Sequence, residues 1–137
     1  MTVRILAVAD EVVDALQRPT IARRFADVDL IVSCGDLPYG YLDYLITLIN
    51  KPAFYVHGNH DVDVEHTERG PRRVEPLGAD SLDRRTIVGP KGLLLAGLEG
   101  SIRYDPASAH QYTQLEMWLR TGKLVPGLAW NRVRRGR

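Results

Sequence analysis

The segment AFYVHGNHD at positions 53–61 contains the most specific pattern of this chain. Its first part, Ala53–Val56, is apolar and typical of a short buried strand. Polar side chains follow almost at once, namely Asn59, His60 and Asp61. In open α/β sheets, ligands gather beyond the carboxyl ends of the strands, so this pattern indicates a site at the end of a sheet.

Two earlier segments have the same arrangement. Val3–Ala9 is an apolar segment that ends at Asp10, and Leu30–Cys34 ends in Gly35-Asp36. The segments between the predicted strands carry apolar residues at helical spacing, most clearly at positions 41–49. Strands that alternate with helices predict parallel pairing with right-handed connections.

The polar residues after these strands predict a metal site. The carboxyl ends of parallel strands share one edge, so Asp10, Asp36 and Asn59 are expected to lie together. Their oxygen atoms suit hard or borderline divalent cations. Each residue also has a simpler interpretation, because a lone Asp often caps a helix and Gly-Asp is a common turn. The repetition after three successive strands favours the metal site.

The rest of the chain predicts a less regular arrangement. Residues 62–82 are polar without a sustained period, which indicates a long surface loop. Arg85–Val88 and Leu93–Ala96 predict a hairpin, and Ala109–Arg120 and Leu124–Val133 predict two separate helices. The sequence shows no internal repeat or linker, so a single domain over residues 1–137 is expected.

The blocks at Asp10, Gly35-Asp36 and Gly58–Asp61 resemble the first three signature blocks of calcineurin-like metallophosphoesterases. Gly97–Ser101 is similar to the G-x-x-G-S loop of that superfamily, so the resemblance covers nearly the whole chain. It implies an α/β fold with a parallel or mixed sheet flanked by helices, an incomplete form of the family's αββα sandwich.

The resemblance also implies a set of metal ligands. Asp10 would bind a first divalent metal ion, Asp36 would bridge two ions, and Asn59 would bind the second. The expected ions are manganese, iron or zinc. Such a pair of cations can clamp an in-line displacement and activate a water molecule as hydroxide.

Four further residues receive roles by the same resemblance. His60 would lie beside the scissile phosphate ester and stabilise charge or protonate the leaving oxygen, and Asp61 would orient its ring. Arg103 and Tyr104 follow the G-x-x-G-S loop and are the expected substrate-binding residues.

Two departures from the family pattern affect the metal site. Val12 stands where the first block usually has a histidine, and Glu11 is a candidate replacement as an oxygen ligand. The later G-H-x-H block is also absent. The chain is therefore expected to be the N-terminal part of such a domain, truncated at its C-terminal end, with partial or no metal occupancy.

Three functions remain open at this point. The first is a metal-dependent phosphoesterase scaffold that hydrolyses a phosphate mono- or diester, with impaired activity in this chain. The alternative is a non-catalytic binding or interaction module of the same fold. A nucleotide-binding α/β domain is disfavoured, because no G-x-G-x-x-G or G-K-[ST] loop follows the first strand.

The amino-acid composition limits the classes of binding partner and the cellular compartment that can be expected. The 137 residues carry 18 Lys+Arg and 17 Asp+Glu, a net charge of +1, so charge gives no indication of a nucleic-acid or membrane partner. A single cysteine fits a reducing compartment, and no apolar run is long enough for a signal peptide or membrane span. We expect a cytoplasmic protein with a phosphate-ester substrate that also forms homo-oligomers through uncovered apolar surface.

Several single residues are expected to have mainly structural roles. His57 is expected to pack or to face solvent, with a ligand role as the less favoured alternative, and His110 is expected to lie on the surface. Cys34 is expected in the core before Gly35. Trp118 and Trp130 are expected to anchor the core, and to be exposed only if the missing part of the domain would normally cover them.

Overall fold

The computed structural model describes residues 2–62, 64–67, 70–107 and 109–135. The strands are β1 Ile5–Val8, β2 Leu30–Ser33, β3 Ala53–Tyr55, β4 Val64–Thr67, β5 Gly70–Arg73, β6 Ala79–Ser81, β7 Thr86–Val88, β8 Leu94–Ala96, β9 Ser101–Ile102 and β10 Gln111–Tyr112. The α-helices are α1 Ile21–Arg24, α2 Tyr39–Ile49 and α3 Gln114–Arg135, and short 3₁₀ turns cover Asp14–Gln17 and Pro90–Gly92.

The central sheet has four parallel strands in the order β1-β2-β3-β6. One row of neighbours crosses it from Ala7 through Val32 and Phe54 to Asp80. The predicted parallel arrangement of the first three strands is therefore confirmed, and the sheet places their carboxyl ends along one edge.

The helix α2 covers one face of this sheet. Its residues Leu42 and Leu45 are fully buried with Ile21 and Ile31 in the larger of two hydrophobic clusters. The helix ends at Asn50, which adopts a left-handed conformation, a residue type common in that role. This packing fixes the loop before α2, which carries Asp36.

The hairpin of β7 and β8 covers the other face. Leu30, Phe54 and Leu82 form a second hydrophobic cluster, against which residues of the hairpin pack. The helix α3 lies over the hairpin and buries Leu124. The layers are helix, sheet, hairpin and helix, so the expected α/β fold with helices flanking the sheet is confirmed.

Some predicted elements are wrong. The predicted loop over residues 62–82 contains the pair β4–β5 and the strand β6, which joins the main sheet beside β3. The two predicted C-terminal helices are one helix, because α3 continues through Pro126. Helical spacing over residues 12–25 yields only a 3₁₀ turn and the four-residue α1.

Three predicted core residues are exposed instead. Cys34 lies at the surface, and Trp118 and Trp130 are 69% and 67% exposed. Both tryptophans lie on the side of α3 away from the hairpin. Among the described residues, no helix is long and apolar enough to cross a membrane.

Candidate metal and phosphate site

Three loops at the carboxyl ends of β1, β2 and β3 are joined by hydrogen bonds. The Asp10 N–H donates to the carbonyl oxygen of Gly35 at 3.2 Å. The His60 N–H donates to Asp36 Oδ1 at 2.8 Å. Asp61 Oδ2 accepts from the N–H groups of Gly58 at 2.8 Å and of Asp36 at 3.1 Å. We call Asp10, Asp36, Asn59, His60 and Asp61 the strand-end cluster.

The close approach of these loops requires glycine. A Cβ atom on Gly35 would overlap the backbone of Gly58, and one on Gly58 would overlap the Asp36 carboxylate. Gly35 also has a φ of 98°, which residues with a side chain rarely adopt. The two aspartates have left-handed backbones as well, with φ of 60° at Asp10 and 58° at Asp36. Such conformations are frequent at binding sites.

The predicted substrate residues differ in their surroundings. The Asn59 side-chain amide donates to the Tyr104 hydroxyl at 2.7 Å, so Tyr104 lies directly beside the strand-end cluster. The Arg103 guanidinium instead donates to Glu116 at 2.9 Å and to the carbonyl oxygen of Gln111. The loop that carries both residues follows the G-x-x-G-S segment.

The remaining members of the cluster are accessible. Asp10 and His60 are exposed, and Asp36, Asn59 and Asp61 are half-buried. The Oδ2 oxygen of Asp61 accepts one main-chain N–H of its own loop, from Gly58, and one of the neighbouring loop, from Asp36. The two aspartates and the amide supply oxygen donors of the kind that hard divalent cations take, so these residues fit a metal.

A second cluster lies next to the end of β3 and is more deeply buried. His57, Glu99 and His110 are all buried, and one ligand atom from each lies within 4.8 Å of the others. His57 Nδ1 is 3.0 Å from Glu99 Oε2, and His110 Nδ1 is 3.7 Å from Glu99 Oε1. The two imidazole rings stack with centroids 4.8 Å apart. We call these three residues the buried cluster.

Hydrogen bonds and neighbouring positive charges keep the carboxyl group of Glu99 ionised. Burial alone would raise the pKa of Glu99, but hydrogen bonds from His57 and Tyr112, the charge of His110 and a hydrogen bond from Arg120 lower this pKa to about 2. The Tyr112 hydroxyl donates at 2.6 Å and Arg120 Nη2 at 3.0 Å. Burial, and then the Glu99 carboxylate, raise the pKa of Tyr112.

The amino-acid sequence alone does not indicate that these three residues form a cluster. His110 was expected at the surface, but it is only 5% exposed, so that prediction is wrong. Glu99 occupies a variable position of the G-x-x-G-S loop, and 42 residues separate it from His57. The parallel pairing of β9 with β10 brings His110 against this loop, because Ser101 N–H donates to the His110 carbonyl oxygen. No local sequence pattern predicts this contact between His110 and the loop that carries Glu99.

Carboxylates and an amide at the ends of parallel strands define an α/β domain with a candidate metal site. The comparison with protein families makes the class specific. The family model "Calcineurin-like phosphoesterase" matches residues 4–128, and the chain belongs to this family. None of the curated proteins matches the chain, and no solved structure matches it.

Proposed function

We propose that this chain is a metal-dependent phosphoesterase scaffold whose site is the strand-end cluster. The proposal rests on the hydrogen bonds that hold the loops of Asp10, Asp36 and Gly58–Asp61 together. The chain belongs to the calcineurin-like phosphoesterase family, whose signature blocks these loops resemble. The reaction is hydrolysis of a phosphate mono- or diester. The single exposed cysteine, Cys34, supports a reducing compartment such as the cytoplasm.

The metal ligands of the proposal are Asp10, Asp36 and Asn59. Two divalent cations, manganese, iron or zinc, would supply Lewis acidity and a hydroxide nucleophile when bound. Asp36 lies between the loops of the other two ligands, which supports a bridging position. Its Oδ1 already accepts the His60 N–H, and this hydrogen bond orients the carboxylate.

The other residues of the cluster act on the substrate or on the loops. His60 is exposed beside the ligands, where its imidazole can stabilise charge on the ester or protonate a leaving alkoxide. Asp61 holds the loop that carries His60 against the Asp36 loop through its two main-chain contacts. Tyr104 positions the Asn59 amide, and its hydroxyl is near enough to contact a bound ester.

A non-catalytic binding module is the second candidate function. It is favoured by the composition of the strand-end cluster, in which His60 is the sole imidazole among the described residues, while His57 and His110 belong to the buried cluster. Oxygen donors alone bind transition metals more weakly than sites that include imidazole. Partial occupancy of the strand-end cluster is therefore part of this proposal.

The ligand assignment is tested by calorimetric titration of Mn²⁺ into the protein. Loss of a hydrogen-bonding partner behind a metal ligand costs about 10–100-fold in affinity, so we expect Asp36→Asn, which changes a ligand, to weaken Mn²⁺ binding by at least about 10-fold. The loss should exceed that of Asn59→Ala, because a charged bridging ligand is lost. Asp14→Asn is the control, since Asp14 is an exposed carboxylate in the first 3₁₀ turn. Equal affinity of the Asp36 variant and the control would contradict the bridging role.

The activity is tested with 4-nitrophenyl phosphate and bis(4-nitrophenyl) phosphate in the presence of Mn²⁺. Hydrolysis that a chelator abolishes and that Asp36→Asn removes supports the phosphoesterase. Metal binding without any hydrolysis would instead identify the non-catalytic module.

A further inference from the structure

The buried cluster has the composition of a transition-metal site. Two imidazoles and one carboxylate are ligands that Zn²⁺, Co²⁺ and Fe²⁺ favour. Ligands of one tetrahedral ion at about 2.0–2.2 Å lie about 3.5 Å apart. The ligand atoms of the cluster lie within 4.8 Å of one another, so they must approach by at most about 1.3 Å. None of the three residues is in the strand-end cluster.

The carboxylate of Glu99 is already oriented for such a role. Its Oε1 is held by the Tyr112 hydroxyl and by Arg120, while Oε2 faces His57 Nδ1. Arg120 makes its shorter contact, 2.6 Å, with Asp83. Asp83 also pairs with Arg84 at 2.7 Å, so both carboxylates are held by guanidinium groups, and the Oε2 oxygen of Glu99 is left facing the imidazole of His57. Hydrogen bonds of this kind behind a carboxylate are a regular feature of metal ligands.

The cluster opens on a polar cavity. His57, Glu99 and His110 line a cavity of about 460 Å³, and Asp80, Arg84 and Arg85 are among its other lining residues. Three protein ligands with room for a water molecule or an anion in the next coordination position are typical of reactive zinc sites, whereas structural zinc sites are closed by four ligands.

We propose that His57, Glu99 and His110 bind a divalent cation of borderline softness, such as Zn²⁺ or Co²⁺, at a site separate from the strand-end cluster. The cation takes the position between His57 Nδ1 and Glu99 Oε2, and the proton shared by these two atoms leaves to solvent. His110 supplies the third ligand, and the cavity supplies the exchangeable one. The alternative is a network of ion pairs that holds no metal, in which Arg120 and Arg84 balance the carboxylates of Asp83 and Glu99.

The experiment titrates Co²⁺ into the metal-free protein and follows its visible absorption, which is intense at four- or five-coordinate sites and weak at six-coordinate oxygen sites. We expect an intense band in the wild-type protein that saturates at one equivalent. His110→Asn should abolish it, and Asp36→Asn, in the strand-end cluster, should leave it unchanged. Circular dichroism establishes that both variants are folded.

A second measurement needs no substitution. Zn²⁺ is added to wild-type protein labelled with ¹⁵N in its histidines, and the imidazole nitrogen shifts are recorded. Coordination shifts at His57 and His110 support the proposal. Shifts confined to His60, an absorption band that survives in His110→Asn, or the absence of any intense band would overturn it. Loss of the band in Asp36→Asn would also overturn it, because the cation would then belong to the strand-end cluster.

Discussion

Gly58 is the residue on which the close packing of the strand-end cluster depends. A methyl group at this position would overlap the Asp36 carboxylate, which is itself fixed by the His60 N–H. We expect Gly58→Ala to lower the free energy of unfolding by about 1–3 kcal/mol, the usual cost of overpacking. Urea denaturation followed by circular dichroism measures this change.

The matched control is Gly40→Ala. Gly40 lies near the beginning of α2, and no heavy atom lies within 4 Å of a Cβ atom at this position. Alanine should stabilise the helix by about 0.5–1 kcal/mol there, because it loses less backbone entropy than glycine. Similar effects of the two substitutions would contradict the packing argument.

At the scale of single residues, the sequence predicts the strand-end cluster but gives no indication of the buried cluster. Asp10, Asp36 and Asn59 could be predicted to lie together because each follows a strand within two to four positions, which is a purely local signal. His57, Glu99 and His110 meet only through the folding of β9 and β10 against the β3 end. Such a contact depends on tertiary packing, which no spacing along the chain encodes.

At the scale of one element, the N-terminal end of α3 is stabilised by hydrogen bonds between Thr113 and Glu116. Thr113 N–H donates to Glu116 Oε2 at 2.7 Å, and the Glu116 N–H donates to Thr113 Oγ1 at 3.3 Å. This reciprocal pair is a capping box. Thr113→Ala should lower the free energy of unfolding by about 1 kcal/mol at neutral pH. Thr121→Ala is the control, since Thr121 bonds only within the helix, to the Met117 carbonyl oxygen.

This capping box should also make stability depend on pH. The hydrogen bond from the Thr113 backbone, and then that from its hydroxyl, lower the pKa of Glu116 below its ordinary 4.5. A carboxyl with a lowered pKa in the folded state stabilises above its unfolded pKa and loses this effect as the pH falls. The difference between wild type and Thr113→Ala should therefore shrink between pH 7 and pH 3. A difference that is the same at both values would contradict this mechanism.

Elements were predictable where the pattern was long or strongly apolar. The strands β1, β2 and β3, the helix α2 and the β7–β8 hairpin were all expected, since apolar runs and turn residues mark them. The strand β6 was not, because Ala79-Asp80-Ser81 is short and polar and gains its stability by pairing with β3. Pro126 suggested a break, but α3 is continuous there because its inner face packs on the hairpin.

At the scale of the whole molecule, the outer face of α3 is apolar and uncovered. Its large exposed side chains recur at helical spacing and form one stripe, consisting of Leu115, Trp118, Leu119, Val125, Trp130 and Val133. The helix has 22 residues and is therefore about 33 Å long. Contiguous apolar surface of this kind is typical of an interface.

The stripe is complementary to a second copy of itself. In an antiparallel pair, Trp118 lies level with Trp130 of the second copy, and Leu115 lies level with Val133. Parallel pairing would bring together Arg132 and its basic neighbours at the C-terminal end, whereas antiparallel pairing sets them near the end that carries the acidic Glu116. The surface and its charges thus favour a two-fold antiparallel dimer.

We expect this dimer at tens of micromolar protein, roughly the range in which exposed apolar surface associates. The double substitution Trp118→Ser and Trp130→Ser should make the chain monomeric in sedimentation velocity. Leu77→Ser is the control, because Leu77 is 78% exposed but lies outside α3. A wild-type monomer, or a dimer that survives the double substitution, would contradict the prediction.

Arg120 makes the buried cluster and the strand-end cluster respond differently to local unfolding. It lies on α3 and reaches Asp83 and Glu99, whereas the hydrogen bonds among Asp10, Asp36 and Asp61 lie within the first 61 residues. Proteins open in parts, and a helix at the surface opens at a lower free energy than a central sheet. When α3 detaches, the charge that balances Glu99 leaves with it, and the strand-end contacts stay closed. Protease cleavage and backbone hydrogen exchange in α3 are therefore coupled to the buried cluster and independent of the strand-end cluster.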